Sequence, residues 1–197
     1  MSRYTLLILN GALLTGCAVF IYDARTAVLT GLMLFLPFID RHWHPPIRMR
    51  RAHQSPYGAH GAPYIWLALV VSAITLLVIN PQHISTAVMI LLLTALPEEW
   101  FFRAYFTTQL QKYFAGMHTR HSASAWLANI AASLLFALLH TPTQGWFGLS
   151  IFFPSLLFGW IYQQQKSLTL VIALHAMSNL VFIIYIKEFL QKISINF

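Results

Sequence analysis

Long apolar runs broken by short polar punctuation fill the chain from end to end. Seven runs can be drawn: Thr5 to Tyr22, Ala27 to Ile39, Ala62 to Ile79, Ile84 to about Leu110, Ala123 to Leu139, Trp146 to Tyr162, and Leu168 to Ile186. A helix needs about 20 residues to cross a hydrocarbon core of ~30 Å. Backbone polar groups find no water there, so each run is predicted to be helical. The pattern predicts an all-α, polytopic transmembrane bundle of about seven spans, forming a single membrane-embedded domain over residues 1–197. The second run is short and reads as tilted or re-entrant. Connections follow from Pro45 and Pro46, Asn80 with Pro81, Pro142 with Gly145, and the polar run Gln163 to Ser167.

Composition agrees that lipid is the main solvent. The chain is 58% hydrophobic and 9% charged, where soluble domains carry about 25% charged residues. That reading leaves no room for a separate soluble domain. The net charge of +7 does not point to nucleic acid, because the basic residues sit in connections rather than along one face. With seven crossings, one side receives Arg3, Arg41, Arg48, Arg50, Arg51, Lys112, Arg120 and Lys166, and the other receives Arg25, Lys187 and Lys192. This bias places the N-terminus in the cytoplasm. The expected location is a bacterial inner membrane, crossed several times. Leu14 to Cys17 resembles a lipoprotein cleavage box, but the run stays apolar through Ile21 and reads as a retained first helix. Cys17 is the sole cysteine, so no internal disulfide forms.

Charges inside an apolar run change the picture. Glu98, Glu99 and Arg103 follow Pro97 in the fourth run, at a depth where each charge costs about 2.5 to 3.5 kcal/mol to insert. Glu99 and Arg103 are four apart with the acid first, the favourable order for a helical ion pair. Glu98 lies about 100° around the helix, has no cation nearby in sequence, and must face protein or water. Pro97 has no N–H, which leaves the Leu93 carbonyl without its helical donor and predicts a local opening. The fifth run carries Phe136 with His140, and the seventh carries His175 and Asn179 one turn apart on one face. A lone membrane histidine often only bonds a neighbouring helix. Two glutamates, two histidines and an asparagine on three helices suggest a shared site.

Taken in order, Glu98-Glu99 with Arg103, Phe136 with His140, and His175 with Asn179 resemble the three motifs of the CPBP intramembrane proteases. That family includes the CaaX prenyl endopeptidases and bacteriocin-processing enzymes. The resemblance covers roughly Leu91 to Leu180, within a motif-bearing core of about 84–186. One departure is Ala104, where the family usually has Gly. The resemblance implies a glutamate-dependent endopeptidase. In it, Glu98 activates a water with help from His140, His175 and Asn179 stabilise the oxyanion, and Arg103 holds the glutamate pair.

The implied partners are the lipid bilayer and a membrane-anchored or lipid-associated protein or peptide substrate, with no nucleic acid. No cofactor is expected, although the same side chains could bind a divalent metal as a minority reading. No HExxH signature is present. The rival readings are a transporter relaying protons or ions through the buried acids and a non-catalytic membrane scaffold. His42, His44, His53 and His60 crowd the basic loop with Trp43, which reads as a headgroup-facing loop with an aromatic anchor rather than a metal site.

Overall fold

The computed structural model describes residues 3–45, 62–117 and 121–187, and every regular element within them is helical. Helix α1 spans Arg3–Phe20, and α2 spans Arg25–Phe35 before tightening into a 3₁₀ turn over Leu36–Ile39. Helix α3 follows at Ala62–Ile79, and α4 runs unbroken over Pro81–Gly116. Helix α5, His121–Gln144, leads through a 3₁₀ segment, Gly145–Ile151, into α6, Phe152–Gln165. Helix α7 closes the described chain at Leu168–Ile186. The basic-loop residues Arg48, Arg50, Arg51, His53 and His60, together with Arg120 and Lys192, lie outside the described residues.

Three stretches are long and apolar enough to cross a membrane: Pro81–Gly116 with 36 residues, Ser122–Gln165 with 44, and Leu168–Ile186 with 19. Three apolar helices are shorter: Tyr4–Phe20, Arg25–Ile39 and Pro63–Ile79. The fifth and sixth apolar runs of the sequence are therefore one continuous helical stretch. That stretch turns back on itself at Gly145, whose φ of +57° is a left-handed conformation suited to glycine. The arms run antiparallel, since Asn129 donates to the Leu156 carbonyl at 2.9 Å while Gln163, further on, donates to Ala125, further back, at 2.8 Å. Two glycines let the arms touch. A Cβ on Gly159 would stand 1.8 Å from Asn129 Oδ1, and one on Gly148 would stand 2.8 Å from the His140 carbonyl carbon. Small residues at such crossings are how membrane helices gain van der Waals contact without a hydrophobic driving force.

The connection expected at Pro142 with Gly145 falls at Gly145, and α5 continues through Pro142 to Gln144. Pro142 cannot donate to the Leu138 carbonyl, and the Thr141 hydroxyl does so instead at 2.8 Å.

Helix α4 lies at the centre of the packing. Its Phe101, Phe102, Tyr105 and Phe106 join one buried cluster with Leu7 and Leu14 of α1, Met33 of α2, and Ala132 and Phe136 of α5. A smaller cluster joins Leu76 of α3, Ile90 of α4, and Leu180 and Ile184 of α7. The N-terminal region also grips α4 through polar contacts. Asn10 donates to the Tyr105 hydroxyl at 3.0 Å, and Gln109 donates to the buried Asp40 carboxylate at 2.6 Å. Trp43 corrects the sequence reading: it is buried rather than a headgroup anchor, and its indole N–H donates to the Ala104 carbonyl at 3.1 Å.

Candidate active site

The α4 backbone is irregular on both sides of the glutamates. Residues Ile90–Ala95 and Trp100–Thr107 are π-helical, with a single α-helical turn, Leu96–Glu99, between them. Such wide turns are rare and tend to sit at functional sites. Their carbonyls are served by side chains. Thr107 donates to the Phe102 carbonyl at 2.6 Å, and the Thr108 hydroxyl donates to Ala104. The Leu93 carbonyl, four residues before Pro97, accepts from the Thr30 hydroxyl of α2 at 2.8 Å. The opening expected at Pro97 is thus closed by another helix.

The two adjacent acids occupy different environments. Glu99 is wholly buried, with Oε2 accepting from Arg103 Nε at 2.9 Å and Oε1 2.8 Å from His175 Nδ1. The i, i+4 pair expected from the sequence is therefore present, and α7 supplies a third member. Glu98 keeps 15% of its side chain exposed, and its Oε2 lies 3.5 Å from His175 Nε2. That separation is longer than a hydrogen bond, and Oε2 has no hydrogen-bond partner among the described residues. His175 thus stands between the two carboxylates with one ring nitrogen toward each. Phe158 stacks on it at 5.5 Å and the edge of Phe136 meets it at 6.0 Å, which fixes the plane of the ring.

Arg103 is also fully buried. Its Nη2 donates to Ser155 Oγ at 2.8 Å, Ser155 donates to Ser133 at 3.1 Å, and Ser133 reaches Asn129 Oδ1 at 3.5 Å. Each donor in this chain points away from the guanidinium, so the α5–α6 hairpin accepts its charge without adding another. The guanidinium carbon also lies 5.9 Å from the Phe136 ring centre, a cation–π contact.

His140 bends back along α5, and its Nδ1 lies 2.8 Å from the Phe136 carbonyl. A carbonyl can only accept, so Nδ1 carries the proton and Nε2 is left for other partners. Its ring stands 4.6 Å from Phe136, and it interacts electrostatically with Glu98. Measured along straight helices, His140 and His175 fall at different depths. They meet through Phe136, whose ring contacts both. Asn179 lies one turn beyond His175 on α7, partly exposed, with no side-chain hydrogen bond among the described residues. The structure therefore brings together Glu98, Glu99, Arg103, His140 and His175, with Asn179 beside them but not bonded to them. Among the described residues, no three His, Cys, Asp or Glu side chains are gathered as a metal ion would need.

Sequence reasoning missed Ser155, Ser133, Asn129 and Thr30. All are polar residues in apolar runs, where an uncompensated hydroxyl or amide is costly. That cost was the available signal.

An all-helical fold with a buried carboxylate–histidine centre on three helices defines a class, the helical membrane proteins with an ionisable intramembrane site. Residues 80–181 match the model of the Rce1-like family, the type II CAAX prenyl endopeptidases. The match spans α4 through most of α7 and contains all six site residues. The chain belongs to this family and is an integral membrane protease. No curated protein and no solved structure matches it.

Proposed function

We propose that the protein hydrolyses a peptide bond of a membrane-associated protein or peptide, with Glu98 activating the water. The observation that carries this reading is the unequal setting of the two acids. Glu99 is bonded on both oxygens, while the Glu98 side chain is 15% exposed and its buried Oε2 has no hydrogen-bond partner among the described residues. A base must be reachable and able to take a proton, and an anchor must be held. Glu98 suits the first role and Glu99 the second.

In the proposed reaction, Glu98 takes a proton from water, and His140 Nε2 helps to orient that water. The hydroxide adds to the scissile carbonyl carbon, and the developing oxyanion accepts hydrogen bonds from His175 and Asn179. Because His175 Nδ1 is turned to Glu99, donation from Nε2 requires the doubly protonated ring, whose charge the two glutamates balance. The C–N bond then breaks and Glu98 returns its proton to the departing amine. Every step uses side chains of this chain and none is routed through a metal.

A prenylated CaaX C-terminus is the first candidate substrate, since the family's name describes that activity. A bacteriocin leader or the membrane anchor of an exported protein are others within the reading. The proposed topology has seven crossings in a bacterial inner membrane with the N-terminus cytoplasmic. The test is to reconstitute the purified protein, incubate it with membrane proteins of its host and with a farnesylated CaaX peptide, and map new termini by mass spectrometry. New termini from the wild type that are missing with Glu98→Gln support the reading. Identical termini from both would overturn it.

A further inference from the structure

Proline inside a membrane helix leaves one carbonyl without a donor, and hydrocarbon offers no water to replace it. At two of the prolines in this chain, Pro142 and Pro97, a threonine hydroxyl answers it. At Pro142 the hydroxyl is local, from Thr141 to Leu138. At Pro97 it comes from Thr30, 63 positions earlier and on another helix, at 2.8 Å from the Leu93 carbonyl. Leu93 is 42% exposed on the outside of the bundle, where its carbonyl has little else to bond.

The location gives that bond its importance. Leu93 to Pro97 is the turn immediately before Glu98 and Glu99, running from the end of one π-helical segment into the single α-helical turn that precedes the next. A backbone with two unstable hydrogen-bonding registers so close together needs an external tie to present one of them. His175, which meets both glutamates, and His140 stand on other helices, so a small rotation of this turn would shift Glu98 relative to both. Thr30 lies outside the family-matched residues 80–181, so no motif points to it.

We propose that Thr30 is a positioning residue for the catalytic glutamates: its hydroxyl replaces the N–H that Pro97 lacks and holds Glu98 and Glu99 in register with the two histidines. Helix α2 is then a working part of the site. The inference rests on the protease reading given above.

The test is a double-mutant cycle in proteoliposomes with a farnesylated CaaX peptide, measuring kcat, KM and thermal stability. Thr30→Val keeps the shape and removes the donor, Thr30→Ser keeps the donor, and Pro97→Ala restores a backbone N–H to the helix. Thr30→Val should lower kcat by about five- to tenfold, the effect of losing one such bond, with KM unchanged, while Thr30→Ser stays within about twofold of wild type. With Pro97→Ala present, adding Thr30→Val should cost less than about twofold, because the carbonyl has regained a donor. A merely structural threonine would lower stability equally in both backgrounds and leave kcat per folded molecule untouched. That result, or equal kcat losses in both backgrounds, overturns the proposal. A wild type that cleaves neither the peptide nor host proteins removes the protease reading and this proposal together, whereas an active wild type with an additive cycle removes only this one.

Discussion

Replacing each glutamate in turn by glutamine should separate catalysis from folding at adjacent positions. Glu99 is wholly buried and accepts from Arg103 at 2.9 Å on one oxygen while the other meets His175 at 2.8 Å. Glu99→Gln removes the negative charge and leaves a buried guanidinium with only Ser155 and an aromatic face as partners. Breaking a buried pair in this way costs about 3 to 5 kcal/mol, a large share of the about 5 to 15 kcal/mol that holds a typical domain. Its main effect should be low yield and early unfolding, partly reversed by adding Arg103→Met, which removes the stranded charge. Glu98 has no such bond to lose, so Glu98→Gln should unfold within a few degrees of wild type. Its activity should fall by about a hundredfold or more, the usual contribution of a general base. Detergent-solubilised yield, thermal unfolding and turnover of the three variants and the wild type are the assay. A stable, inactive Glu99→Gln beside an active Glu98→Gln would exchange the roles of base and anchor. Normal cleavage by both would refute glutamate catalysis.

Asn179→Ala should fold normally, since that side chain makes no described hydrogen bond, yet lower kcat by about a hundredfold, the scale for losing an oxyanion donor. An unchanged kcat would remove it from the oxyanion site. Gly159→Ala should destabilise the α5–α6 hairpin by about 1 to 3 kcal/mol, because the added methyl would stand 1.8 Å from Asn129 Oδ1, and thermal unfolding reads this directly. Turnover should be unchanged after dialysis against a chelator, and activity lost on chelation and restored by a divalent metal would contradict the proposed chemistry. A reporter fused after Phe197 should score as extracytoplasmic, and a cytoplasmic score would break the seven-crossing topology.

What could be read from the sequence was what local chemistry enforces. Apolar runs dictated helices, and the spacing of Glu99 and Arg103 dictated their ion pair. Three short motifs contain the Glu98, Glu99, Arg103 and His175 cluster, with Asn179 beside it and unbonded. The unreadable parts were set by partners distant in the chain. Nothing near Glu99 announces that its second oxygen meets His175, 76 positions on. Trp43, in a basic loop, looked like a headgroup anchor, and only the groove beside Ala104 explains its burial. The fifth and sixth runs part at Gly145, as the sequence allowed, but not at Pro142, whose missing donor Thr141 replaces. The π-helical turns on either side of the glutamates, one of them tied by the Thr107 and Thr108 hydroxyls, were not legible in the sequence.

The central claim is that Glu98 delivers water to a peptide bond within the membrane. It is tested most directly by running the reaction in ¹⁸O-labelled water and analysing both products by mass spectrometry. One ¹⁸O atom is expected in the new C-terminal carboxylate after a single turnover, formed by the wild type and missing with Glu98→Gln. Cleavage that proceeds at the wild-type rate in Glu98→Gln with the same label incorporated would contradict it.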